Sequence, residues 1–231
     1  MAFGRLTWER LAAAGQAYLA RRWQRLLALR QRLRLSEDAI HIALAVAIGL
    51  VAGLTNFVFF GATELIKWLT LNRLGDLTEI AEGLGPWTRL GGPALGGLVA
   101  GLALHWGLRV VGTQGSTNLL EVVVAGDGRL PFRTTAIKSL SSLISIATGA
   151  SIGREGSLVQ LSATFASQGG QRLRWPPYRL RLMVACGAAA GMAAAYNAPI
   201  AGAVFAAQIV LGNFAMNLFA PLVCASVSAA V

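Results

Sequence analysis

Charged side chains are scarce in this sequence. Asp, Glu, Lys and Arg make up 13% of its 231 residues, whereas hydrophobic residues make up 55%. A soluble domain usually carries about 25% charged residues, because its surface has to be hydrated. The mean hydropathy is positive as well. The composition therefore excludes an ordinary soluble domain and predicts an integral membrane protein.

Cysteine and histidine, which build many catalytic and metal sites, are almost absent. Cys186 and Cys224 lie in apolar stretches without metal-ligand spacing, so we expect buried, reduced thiols. His41 and His105 are isolated, and the sequence contains no Ser/His/Asp set, Cys/His set or phosphate-binding loop. It therefore predicts a protein that is not an enzyme and uses no metal or cofactor.

Acidic residues are few, with 10 Asp and Glu against 20 Lys and Arg, which gives a net charge of +10. Basic residues are concentrated in residues 5–34 and in the loop 171–181, whereas residues 72–89 form an acidic loop. The positive-inside rule places the N-terminus and the 171–181 loop in the cytoplasm, and the acidic loop outside. This distribution matches a membrane orientation and argues against nucleic acid as a partner.

The charge pattern divides the chain into two regions. Residues 1–35 alternate arginine with Leu, Ala and Trp at helical spacing, which predicts a cytoplasmic amphipathic helix on the anionic face of the lipid bilayer. Residues 36–231 form the membrane region. Ser36 and the two acidic residues after it are typical of a helix start, and we expect this first membrane helix to end near Leu71.

The membrane region contains apolar stretches long enough to cross or enter a bilayer. They are residues 39–60, 90–111, 136–152, 182–211 and 215–231. Some are short, and glycine or proline interrupts others. Irregular backbone survives at membrane depth where it is buried in protein or lines a cavity. The pattern therefore predicts tilted and half-spanning helices. The small residues of 91–101 and 186–195 predict close packing between helices.

The most informative polar group is the stretch 149–157, which places Arg154 and Glu155 between glycines in an apolar region. Charges at bilayer depth are costly unless they face a cavity or a partner, so both are functional candidates. Gly153 and Gly156 permit a sharp turn that opens a helix, whose first N–H groups attract anions. Because adjacent helical residues do not face each other, we expect no mutual ion pair. A carboxylate here would compete with the anion and act as a gate or proton carrier.

Three further polar groups interrupt the apolar background. The segment 111–118 is either a plain loop with a helix cap near Ser116, or a set of hydroxyl and N–H donors for an anion. Lys138 either extends to the cytoplasmic interface or raises the positive potential of an anion path. The Tyr-Asn-Ala-Pro run at 196–199 breaks an apolar stretch into two helices, with Pro199 at the first position of the second.

These residues together resemble the ClC chloride channel and transporter family, in particular its bacterial voltage-gated branch. The resemblance is carried by Gly-Arg-Glu-Gly at 153–156, by Lys138 upstream, and by the Gly/Ala-rich stretch 187–202 with its Asn-Ala-Pro break. It covers the chain from about Ala39 to the end. It implies an all-α ClC fold, of which residues 36–231 would be the first inverted-topology repeat, the second being missing.

The resemblance also implies a function and its residues. Each subunit of a homodimer would conduct chloride through its own pore in the bacterial inner membrane. Glu155 would be the gate, and Lys138 would contribute to the electrostatics of the pore. Chloride would bind at backbone N–H groups around the helix start, at Gly153, Arg154, Gly156 and Ser157.

The sequence departs from the family pattern in three places. The family's Gly-Ser-Gly-Ile-Pro run is replaced by residues 113–117, so Ser116 is only a partial match to the serine that contacts the anion. Ser157 stands where many members have proline. The inner glutamate of the proton-coupled exchangers corresponds, by counting from Asn197, to Ile209, which carries no proton.

Ile209 favours a gated chloride channel, which could serve as an electrical shunt in acid stress, over coupled exchange. A chloride/proton antiporter remains the alternative within the family, and a fluoride-exporting relative is another. From a different class, a membrane scaffold without transport activity remains open. Substitution of Glu155 would leave ion flux unchanged in a scaffold.

Overall fold

The computed structural model describes residues 37–71, 83, 85–112 and 118–230, and every regular element among them is helical. In chain order they are α1 (Glu37–Leu71), α2 (Pro86–Val111), α3 (Leu119–Val124), α4 (Phe132–Ala147), α5 (Glu155–Arg172), α6 (Pro177–Tyr196), α7 (Pro199–Phe205), a π-helical turn (Ala206–Leu211) and α8 (Met216–Ala229). The predicted all-α fold is confirmed. The predicted helix of residues 1–35 and Ser116 lie outside the described residues.

Helices α1 and α2 are long and apolar enough to cross a membrane. The 35 residues of α1 rise roughly 52 Å, well beyond the about 30 Å of a bilayer's hydrocarbon core, so this helix has to tilt. By contrast, α4 has 16 residues and α8 has 14, which rise roughly 24 and 21 Å. Lengths on both sides of the core thickness agree with the predicted mixture of tilted and half-spanning helices.

Helix α6 forms the centre of the fold and packs against α5, α1, α8 and α7. All residues from Leu182 to Gly191 are buried. A Cβ atom on Gly187 would lie 2.7 Å from the carbonyl oxygen of Ser162, and one on Gly191 would lie 2.8 Å from that of Leu158. The glycines thus allow the backbones of α5 and α6 to touch, which confirms the close packing predicted for this run.

The glycines of α2 pack less closely than the sequence predicted. A Cβ on Gly96 would collide with Thr148 of the turn after α4, but a Cβ on Gly91, Gly97 or Gly101 would meet no atom of the described residues within 4 Å. The close packing predicted for residues 91–101 is therefore confirmed at Gly96, whereas Gly91, Gly97 and Gly101 have no close neighbour within the described part of the chain.

One helix end differs from the apolar stretch that predicted it, and one break lies where the sequence predicted it. The stretch 136–152 ends as a helix at Ala147, because Gly149 adopts φ +102° and the Thr148 hydroxyl donates to the carbonyl of Ile144, 2.9 Å away. The stretch 182–211 divides at Asn197, which has a left-handed φ of +52°, and the next helix begins at Pro199 as expected. Hydropathy does not record the turn at Gly149.

The two cysteines are free thiols, as predicted. Cys186 is fully buried in the middle of α6, whereas Cys224 is only half-buried on α8. The expectation of a buried thiol is therefore confirmed for Cys186 and wrong for Cys224.

Candidate functional site

The candidate site lies where the chain leaves α4 and enters α5. After the turn at Gly149, the N–H of Ala150 donates to the carbonyl of Ser145 at 3.0 Å, and α5 begins at Glu155. The first intrahelical hydrogen bond of α5 joins the N–H of Leu158 to the carbonyl of Arg154 at 3.1 Å. The N–H groups before Leu158 therefore have no partner within the helix, and they carry the positive end of its dipole.

The carboxylate of Glu155 folds back over the start of its own helix. A methyl group on Gly153 would collide with this carboxylate. The carboxylate can therefore occupy this position only because residue 153 has no side chain. The hydroxyl of Tyr196 lies near the same carboxylate. The negative charge of Glu155 thus lies at the helix end to which an external anion would be attracted.

Gly156 and Ser157 complete the first turn of α5. A Cβ atom on Gly156 would meet nothing within 4 Å, and the residue is exposed. Ser157 is half-buried on the same turn. The open space at Gly156 would let an anion approach the backbone N–H groups closely, because no side chain stands in front of them.

Arg154 points away from Glu155. Its Nη2 atom donates to the carbonyl of Ala195 at 3.2 Å, and its guanidinium carbon lies 6.0 Å from the ring centroid of Phe60. It also lines a cavity of about 110 Å³ together with Asn56 and the ion-paired Glu64 and Lys67. As the sequence predicted, Arg154 and Glu155 do not pair. Arg154 instead ties the start of α5 to the end of α6.

Five predicted residues lie next to one another at the start of α5. They are Gly153, Arg154, Glu155, Gly156 and Ser157. Lys138 is not part of this turn. Its side chain is exposed on α4, nine residues and roughly 14 Å of helical rise before the end of that helix. Ser116 lies outside the described residues, so its predicted role stays a prediction.

Tyr196 is the functional candidate that sequence reasoning missed as a site residue. It is the last residue of α6, directly before the left-handed Asn197, and it is 60% exposed although it lies beside Glu155. Its position at the Asn-Ala-Pro break was the available signal. The break turns the chain sharply at the point where α6 reaches the start of α5.

The arrangement places a carboxylate at the positive end of a helix dipole. A helix of 18 residues presents its uncommitted N–H groups and dipole to a carboxylate that belongs to the same turn. An external anion at this end of the helix would meet the same dipole. Protonation of the carboxyl would remove its charge and its attraction to the helix end.

Comparison with known proteins gives a consistent result. A family model described as "Voltage gated chloride channel" matches residues 96–231. The chain is 42% identical over 192 residues to "Putative chloride channel protein ClcB-like" from Ralstonia nicotianae, a match that covers 81% of this chain and 45% of that protein. It is 41% identical over 191 residues to "Voltage-gated ClC-type chloride channel ClcB" from Yersinia pestis, covering 81% and 46%.

Solved structures with a similar fold include a bacterial transporter. The crystal structure of a slow cyanobacterial Cl⁻/H⁺ antiporter superposes with a TM-score of 0.63 at 21% sequence identity, covering 85% of this chain and 46% of that one. The chain thus spans about half the length of the curated relatives and of the structure that it matches.

Proposed function

Since the chain belongs to the voltage-gated chloride channel family, we propose that it moves chloride across the bacterial inner membrane. The start of α5 forms part of the anion path, and Glu155 is the protonatable gate. The remaining components of the proposal are a multi-pass orientation with a cytoplasmic N-terminus, a homodimeric assembly and a chloride shunt under acid stress.

One observation carries the gate assignment. The Glu155 carboxylate folds over Gly153, at the N-terminal end of the helix whose N–H groups would bind the anion. Carboxylate and chloride are both acceptors for the same donors, so only one of them can occupy the position at a time. A charged Glu155 blocks the path, and a neutral Glu155 releases the donors to chloride.

The choice between a channel and an exchanger rests on the inner end of the path. Ile209, at the position where the sequence places the inner proton carrier of coupled relatives, lies in the π-helical turn and is 50% exposed. Its side chain cannot carry a proton, which favours passive conduction. The fold is shared with a Cl⁻/H⁺ antiporter, so coupled exchange is the second candidate.

The gate is tested by replacing Glu155 with Gln, which keeps the size of the side chain and removes its charge. The longest natural chain that contains this sequence is reconstituted in liposomes, and chloride efflux is measured between pH 4 and pH 7.5. We expect wild-type flux to rise as the pH falls. The Glu155→Gln variant should be several-fold faster than wild type at neutral pH and nearly insensitive to pH.

Asp127→Asn is the matched control, because it removes one carboxylate charge from an exposed turn away from the site. Its pH profile should equal that of wild type. If the Glu155→Gln variant conducts no faster than wild type at neutral pH, Glu155 is not the gate. Flux of fluoride without chloride would favour the fluoride-exporting alternative. Wild-type liposomes without ion flux, unchanged by the substitution, would favour the scaffold.

A further inference from the structure

A second cationic region lies apart from the Glu155 site, at the opposite end of α4. Here a cleft of about 470 Å³ opens between the loop before α4 and the last turns of α5. The side chains that matter for its chemistry are Arg129, Phe132, Arg133, Thr134, Gln168 and Gln171. Neither the gate nor the anion path proposed above uses these residues.

The cleft contains two uncompensated guanidinium groups. Arg129 and Arg133 are both exposed, and neither has a hydrogen-bond or ion-pair partner among the residues that the structure describes. Surface arginines of this kind are common. These two, however, converge on one concave site, so their positive potentials add in a confined space.

The start of α4 adds to this positive potential. Pro131 precedes the helix and offers no side-chain cap, and the first turn contains no acidic residue. It contains Arg133 instead, although a cation is unfavourable at the N-terminal end of a helix dipole. A helix of 16 residues with this first turn is suited to an external anion, which would neutralise both the dipole and the arginine.

A buried hydroxyl in the wall of the cleft provides an independent indication of a ligand. Thr134 is only 4% exposed, and its Oγ1 atom has no hydrogen-bond partner among the described residues. Buried hydroxyl groups in proteins nearly always have a partner. A ligand with several acceptor oxygens would supply one after a small rotation of the side chain.

The loop that carries Arg129 is held in place by α5. The Ser167 hydroxyl donates to the carbonyl of Gly128 at 2.7 Å and accepts from the N–H of Leu130 at 2.8 Å. The amide of Gln168 donates to the carbonyl of Leu130 at 2.8 Å. The backbone on both sides of Arg129 is therefore fixed, and little ordering is needed when a ligand binds.

An apolar groove lies next to the cleft, and one aromatic pair links their walls. The ring of Phe132, in its wall, lies 5.7 Å from the ring of Phe165 on α5. Phe165 in turn lines a groove of about 420 Å³ between α1, α4 and α5, together with Leu54, Val58 and Leu140. A cationic cleft that meets an apolar groove across one aromatic pair matches the head and the tail of an amphipathic anion.

From these observations we propose that the cleft and groove form a binding site for an anionic phospholipid. Its phosphate lies between Arg129, Arg133 and the start of α4, and an acyl chain passes the Phe132–Phe165 pair into the groove. Gln171 places the cleft next to the basic loop 171–181, which the positive-inside rule assigns to the cytoplasmic leaflet, where anionic head groups are available. A zwitterionic lipid offers the same tail but no net charge.

The test compares lipids in a neutral detergent. The purified protein, as the longest natural chain that contains this sequence, is titrated with phosphatidylglycerol or phosphatidylcholine, and lipid adducts are counted by native mass spectrometry. We expect selective retention of phosphatidylglycerol. Each of the changes Arg129→Gln and Arg133→Gln should weaken this retention about fivefold, the effect of one basic side chain at an anionic membrane surface.

The matched control is the double variant Arg172→Gln/Arg174→Gln, which removes the same charge from exposed arginines of the neighbouring loop that do not line the cleft. It should keep the selectivity. The double variant Arg129→Gln/Arg133→Gln should lose it, and an equal loss in both double variants would overturn the proposal in favour of unspecific surface attraction. Equal retention of the two lipids would also overturn it. So would displacement of phosphatidylglycerol by inorganic phosphate at the same concentration as the lipid. The unfolding temperature of each variant identifies any that fail to fold.

Discussion

Gly153 has no side chain at the position where the carboxylate of Glu155 needs the space. The two residues form a steric pair, in which a methyl group on one would displace the charged group of the other. The atom displaced is the far end of a flexible side chain, not backbone. A substitution at Gly153 should therefore move the carboxylate without disturbing the helix, and function should respond more than stability.

We predict that Gly153→Ala raises chloride flux at neutral pH several-fold, toward the level of Glu155→Gln. The added Cβ excludes the carboxylate from its place over the helix start, so it competes less well for the N–H donors. Liposome flux at pH 7.5 measures the effect. The unfolding temperature should fall little, because a rotation of Glu155 relieves the collision.

A double-mutant cycle separates this steric effect from a change in the backbone. In a Glu155→Ala background there is no carboxylate to displace, so Gly153→Ala should leave the flux unchanged. If Gly153→Ala alters the flux equally in both backgrounds, it acts through the backbone of the turn, and the steric pairing with Glu155 does not control conduction.

Some residues of this site can be identified from the sequence, and others cannot. Arg154 and Glu155 stand out because charge is costly in an apolar stretch. Tyr196 does not, because its role depends on contact with a residue that is 41 positions earlier in the chain and on another helix. The sequence predicts that a helix ends after Tyr196. It does not predict in which direction the side chain of Tyr196 then points.

At the scale of elements, the crossing of α5 and α6 holds the site in place. Gly191 and Gly187 of α6 lie against the backbone of α5, one and two turns beyond its start, respectively. Arg154 bonds to the carbonyl of Ala195, so the same pair of helices is also tied at the site itself. Any change in their spacing would move the first turn of α5 relative to Tyr196.

We predict that Gly191→Ala destabilises the protein by about 1–3 kcal/mol, the usual cost of overpacking. Its Cβ would lie 2.8 Å from the carbonyl oxygen of Leu158 and 2.9 Å from the Cα of Val159, and backbone atoms cannot rotate away. Thermal unfolding in detergent measures the change. Gly169→Ala on α5 is the control, because its Cβ would meet nothing within 4 Å. An equal loss of stability in both variants would contradict the packing argument.

The sequence predicted the elements better than their ends. The start of α7 at Pro199 follows from the fixed φ of proline, and the end of α1 at Leu71 from the polar residues after it. The end of α4 was placed too late because residues 148–152 are as small and apolar as the helix before them. The turn there depends on the positive φ of Gly149 and on a threonine hydroxyl, which hydropathy does not record.

At the scale of the whole molecule, the apolar faces of α1 and α2 are largely exposed in this chain. Leu54 and Phe57 on α1, and Leu90 and Trp106 on α2, are each more than half exposed. Such surface is unfavourable in water but suits lipid or a further protein surface. The chain spans about half the length of its relatives, so transport and its coupling to protons are properties to be measured on the assembled protein.

The measurement that decides the transport class is the reversal potential of the reconstituted protein under crossed chloride and pH gradients. We predict that it follows chloride alone, because Ile209 cannot pass a proton from the inner side to Glu155. A tenfold chloride gradient would then give about 60 mV, since a tenfold ratio corresponds to about 1.4 kcal/mol and 100 mV acts on one charge with about 2.3 kcal/mol. A pH gradient added at a fixed chloride ratio should not change this value. If the potential shifts with the pH gradient, protons move with chloride by a route that avoids Ile209. The protein would then be an exchanger in which Glu155 carries the proton as well as gating the anion.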